Sequence, residues 1–135
     1  MSTERKAMKI IGFVMAAMGL YSLVATIASI PDIVGGNHGT GLLVATGLNV
    51  IAIVIDALIC FHGIRGANTP SKARPFATFC AVGVIYDIGS TIPCFVDPAT
   101  FGTPTAAWIA LDVADLAVLV AGVILGRKVF EKSLG

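Results

Sequence analysis

Apolar residues fill four long stretches of this chain, at about 8–30, 41–64, 75–95 and 105–126, with polar punctuation between them. A helix needs about 20 predominantly apolar residues to cross the hydrocarbon core of a bilayer, and each stretch has them. The breaks fall between these stretches. Ile30-Pro31-Asp32 is expected to close the first helix, and the glycine-rich run Gly35–Gly41 to form a flexible turn. Gly66-Ala67-Asn68-Thr69-Pro70 interrupts the middle of the chain, with Ser71 as the expected N-cap of the next helix. Ile92-Pro93 should end the third helix, and Asp97-Pro98 through Thr103-Pro104 should form the last connection. Connections this short force neighbouring helices to run antiparallel. The pattern predicts an all-α, integral membrane four-helix up-down bundle, a single transmembrane domain spanning residues 1–135.

At 100° per residue, each span gathers its small and polar residues on one stripe. The second carries Ala45, Asn49, Ala52, Asp56, Cys60 and Gly63; the third, Phe76, Cys80, Gly83, Asp87 and Cys94. On the fourth, Asp112, Asp115, Leu119, Gly122 and Gly126 share a face, and Gly122 and Gly126 form a GxxxG match. The first offers Gly12, Gly19, Ser22 and Thr26. Small residues let helix backbones approach closely and polar ones hydrogen-bond across the interface, so the stripes are expected to meet. A shift of 63 residues aligns Leu48-Asn49-Val50 with Leu111-Asp112-Val113 and Gly63 with Gly126, which suggests two parallel helical-hairpin repeats.

Four aspartates, Asp56, Asp87, Asp112 and Asp115, lie within these apolar stretches. An ionised carboxylate at the centre of a spanning helix costs roughly 2.5–3.5 kcal/mol, and no Lys or Arg accompanies these at the same depth. They must be protonated, wet, hydrogen-bonded or holding a cation. Together with Asn49 they are the candidate cation- or proton-binding residues, because carboxylate and amide oxygens replace water around a hard cation. The competing expectation is structural: protonated aspartates and Asn49 hold helices together, each bond contributing about 0.6–2 kcal/mol.

Composition agrees with the pattern. The chain is 56% hydrophobic and only 13% charged, where soluble domains carry about 25%. The net charge of +1 hides a complete segregation. All nine Lys and Arg lie before the first span, between the second and third, or after the fourth. The other two connections hold Asp32 and Asp97 and no Lys or Arg. The positive-inside rule therefore predicts cytoplasmic termini in a multi-pass cell-membrane protein, and the basic rim suits anionic headgroups of the lipid bilayer. Reading the first span as a cleaved signal is disfavoured, since a secretory apolar region runs only about 7–15 residues.

Other chemistry is sparse. Cys80 and Cys94 sit about 21 Å apart along one helix by the helical rise, and no internal disulfide is expected. His38 with Asp32 and Asp97 lacks the spacing of a metal site. The glycines at 35–41 have no lysine and no preceding strand, so they do not make a phosphate loop. No nucleophile–base pair, cofactor motif or nucleic-acid-binding surface is visible, and enzymatic activity is not expected.

Gly63-Ile64-Arg65-Gly66-Ala67-Asn68-Thr69-Pro70-Ser71-Lys72, followed by Arg74-Pro75-Phe76, resembles the hairpin junction of small four-helix bacterial membrane proteins. That resemblance implies a bacterial inner-membrane location and no particular activity. Two functions fit the residues: cation- or proton-coupled transport of a solute, or a non-catalytic assembly subunit whose aspartates are structural. Because four short helices enclose little space, a homodimer or a partner membrane protein is the expected assembly.

Overall fold

The computed structural model describes residues 2–135. Four long helices, α1 (Thr3–Val34), α2 (Thr40–Asn68), α3 (Arg74–Val96) and α5 (Ala106–Leu134), run up and down; α4 (Pro98–Phe101) is a single turn before the last. A 3₁₀ turn at Pro70–Lys72 joins α2 to α3. Each long element is apolar and long enough to cross a membrane, and the molecule is the all-α four-helix bundle that the pattern predicts. The closest neighbours are the hairpin partners, α1 with α2 and α3 with α5.

Several boundaries differ from expectation. Pro31 and Pro93 lie inside α1 and α3, which continue to Val34 and Val96. Proline costs one amide–carbonyl bond and crowds the preceding turn. Within a turn of the helix end, that loss is smaller than exposing several backbone groups to an apolar surrounding. Gly35 N–H and Asp97 N–H then donate to the Pro31 and Pro93 carbonyls, each at 2.9 Å. Ser71 does not cap α3. It sits in the 3₁₀ turn, and Ala73 takes the cap position without a side-chain bond. Local backbone bonds, Lys72 N–H to Thr69 at 2.8 Å and Ala73 N–H to Pro70 at 3.1 Å, take the place of the serine. Ala73 is fully buried, because a Cβ on Gly66 would lie only 2.8 Å from its Cα.

Helices also extend beyond the apolar spans at the basic end, where Lys, Arg and Glu are good helix formers. Ser2 caps α1 by accepting from Arg5 N–H at 3.3 Å. Arg5 turns its guanidinium to the last carbonyls of α2, donating to Ala67 at 2.6 Å and Asn68 at 3.1 Å. A cation here satisfies carbonyls that lack a helical partner and faces the negative end of the helix dipole. Lys132 pairs with Glu4 at 2.6 Å, tying the end of the chain to its beginning.

The packed core is concentrated between these ties and the middle of the bundle. Met8, Met15, Ile59, Phe76, Cys80 and Leu119 are its largest fully buried side chains. Glycines let the helices close around them. A Cβ on Gly63 would meet the Phe76 ring at 3.1 Å, and one on Gly126 would meet it at 3.0 Å from the other side. Towards the opposite end the α1–α2 pair stays joined, by Ser29 and Thr46 hydroxyls 3.2 Å apart, while a cavity separates it from α3 and α5.

Candidate functional site

The cavity has a volume of about 540 Å³ and borders all four long helices. Its floor is the edge of the packed core. Leu119 closes against α3 because Gly83 has no side chain; a Cβ there would lie 3.1 Å from a Leu119 methyl. Its far end is lined by Phe101 and the segment Gly102–Thr105. Gly102 turns the chain there at φ 91°, a conformation open to glycine. Gly41 at the start of α2 lies directly against the Thr100 carbonyl, so α4 rests on α2 with no room for a larger residue. On the remaining side, Tyr21 of α1 and Leu111 of α5 border the cavity while 73% and 62% exposed, so it is open between those helices as well as beside the exposed Gly102, Thr103 and Thr105.

All five residues singled out from the sequence, Asn49, Asp56, Asp87, Asp112 and Asp115, border this one cavity, and no Lys, Arg or His does. The 3.6-residue period explains the convergence, since Asn49 and Asp56 lie two turns apart on α2 and Asp112 and Asp115 one turn apart on α5. Asp56 is held at the floor, only 8% exposed, against α1. Its approach depends on Gly19, where a Cβ would stand 3.2 Å from the Asp56 Cβ. Asp87 of α3 lines the cavity together with Asp112 and Asp115 of the neighbouring α5. Its Oδ2 is buried without a hydrogen-bond partner.

Neighbouring hydroxyls are used elsewhere. Tyr86 donates to the Leu48 carbonyl of α2, Ser90 to the Asp87 backbone carbonyl at 3.1 Å, and Thr91 to Ile88 at 2.8 Å. The carboxyls are thus left to one another and to whatever occupies the cavity. Among the described residues, no three His, Cys, Asp or Glu side chains are grouped closely enough to hold a metal ion.

Gly122 and Gly126 lie below the cavity, where α5 meets Cys80, Ala77 and Phe76 of α3. Sequence reasoning passed over Tyr86 and Trp108 as cavity residues. Tyr86 is adjacent to Asp87, only 100° away on the helix, and Trp108 is one turn before Asp112, so helical position was the available signal. His62 stays outside the site, stacked on Phe79 with ring centroids 5.1 Å apart.

No protein-family profile matches this chain, and no curated protein or solved structure shows significant similarity to it.

Proposed function

We propose that this chain is a small multi-pass membrane protein that binds a cation or protons at an intramembrane acidic cavity, in the service of coupled transport. The carrying observation is that Asp87, whose Oδ2 is buried without a partner, lines a cavity that holds four aspartates and no Lys, Arg or His. Desolvated carboxylates are tolerated only when protonated or paired with positive charge, and the exchange of one state for the other is the elementary step of ion coupling. In this reading the basic end is cytoplasmic, as the charge segregation predicts. The membrane is then a bacterial inner membrane, and the cavity lies nearer its outer side.

The second reading rests on Asp87 of α3 lining one cavity with Asp112 and Asp115 of α5. Protonated, the three carboxyls join α3 to α5 as hydrogen-bonding residues of an assembly subunit with a partner membrane protein or a second copy.

Thermal stability of the purified protein separates the readings, measured from mildly acidic to mildly basic pH with and without Na⁺, K⁺, Ca²⁺ or Mg²⁺. A ligand that binds only the folded state stabilises it by about 2.7 kcal/mol at one hundred times its dissociation constant. Stabilisation by a cation or a pH step, lost in Asp87→Asn and Asp112→Asn, supports coupling. A response indifferent to ions and pH, with the Asn variants as stable as the parent and Ala variants weakened, supports the structural reading.

A further inference from the structure

Four carboxylates alone do not define a ligand, but the space around them narrows its chemistry. Asp56 is 8% exposed, and none of the hydrogen bonds among the described residues ends on its carboxylate, although it borders an open space. Asp87, whose Oδ2 is buried without a partner, lines the same cavity from α3. The occupant therefore carries positive charge or donates hydrogen bonds.

The volume leaves room for more than a bare ion. A water molecule's share of liquid is about 30 Å³, so 540 Å³ holds many times the volume of one metal ion. No three carboxyl, thiol or imidazole groups among the described residues close around a point. The volume instead falls in the range of pockets for small organic molecules, about 300–1,000 Å³. The walls agree: Met18, Ile55, Leu111 and Leu119 supply apolar surface, and Tyr86 and Trp108 supply rings beside the acids. Aromatic faces attract organic cations, with desolvated contacts contributing about 2 kcal/mol. The opening between α1 and α5 lies on flanks whose exposed residues are apolar, including Leu20, Val24, Leu111 and Val113. A molecule dissolved in the bilayer reaches the cavity without crossing the packed end.

We propose that the cavity accepts a single lipophilic organic cation, of the class of tetraphenylphosphonium, admitted between α1 and α5. Asp56, Asp87, Asp112 and Asp115 hold its charge and the apolar and aromatic walls hold its body. The proposal rests on the acidic cavity being a cation site and names the class of cation.

Trp108, the only tryptophan in the chain, borders the cavity and reports on it directly. Its emission is followed in the full-length protein during titration with tetraphenylphosphonium and, separately, with tetraphenylborate, a body of similar size and opposite charge. Saturable change with the phosphonium alone is expected, weakened about tenfold or more in Asp87→Asn and Asp112→Asn, as befits loss of a charged partner. Equal responses to both ions, or a phosphonium response unaltered in folded Asn variants, would overturn it. The comparison of the two ions needs no variant, so it stands even where a substitution prevents folding. Stabilisation by Na⁺ or by pH that depends on Asp87, with no phosphonium response, rejects the organic cation while leaving the ion site in place. Silence towards phosphonium, metal ions and pH alike rejects both.

Discussion

Gly122 of α5 faces Cys80 of α3 so closely that an added Cβ would stand 2.6 Å from the thiol sulfur. Four residues on, Gly126 leaves 2.9 Å to the Ala77 methyl. The GxxxG pair thus makes the α3–α5 contact within one chain. Overpacking of this kind costs about 1–3 kcal/mol, so Gly122→Ala and Gly126→Ala should each lower the unfolding midpoint in detergent. Cys80→Ala removes the obstructing sulfur and should restore much of the loss in Gly122→Ala but none in Gly126→Ala. Gly47 and Gly89 have open space around them. Alanine there should be neutral or stabilise by about 0.5–1 kcal/mol through helix propensity.

The Arg5 bonds to Ala67 and Asn68 give a second prediction. Hydrogen bonds to charged groups contribute about 1.5–3 kcal/mol. Arg5→Ala should therefore destabilise the fold by about that amount, discounted for the partial exposure of the site. Arg5→Lys should recover only part, because one ammonium does not reproduce two donors set in a plane. Chemical denaturation with circular dichroism measures both.

Glu4 sets an acid limb on stability. Its pairing with Lys132 holds the carboxyl below the 4.5 of a free glutamate. A depressed folded-state value means that the contribution is fully present above the unfolded value and disappears as pH falls through the folded one. Stability should thus be insensitive to this pair at neutral pH and decline in the acid range below about 4.5, a decline reduced in Glu4→Gln and by added salt. Melting curves across that range test it.

Tyr86→Phe removes the bond to Leu48 and leaves the ring. A neutral hydrogen bond contributes about 1 kcal/mol, so a loss of that order is expected. The proposed cation binding should persist, because the carboxyls remain.

The helices and the inward stripe were legible in the sequence because they follow from local periodicity. Asp56, Asp87, Asp112 and Asp115 fall on stripes that a 100° rotation identifies, and the structure brings them to one cavity. What was not legible depends on contacts distant in sequence. The pairing of Arg5 with Ala67 and of Glu4 with Lys132 has no local signature. Nor does the burial of Met8 and Met15, whose side chains suit lipid equally well until a partner helix covers them. Pro31 and Pro93 do not end their helices for an energetic reason: proline breaks helices readily in water, where released backbone groups find solvent, whereas an apolar surrounding offers none.

If the opening between α1 and α5 admits the ligand as proposed, it also decides how affinity must be expressed. A ligand arriving sideways is drawn from the lipid phase, so its apparent dissociation constant, counted over the aqueous volume, shifts with the lipid-to-protein ratio. Two preparations of the same protein at different lipid loads would report different constants for identical contacts. Occupancy plotted against ligand per lipid should bring them onto one curve.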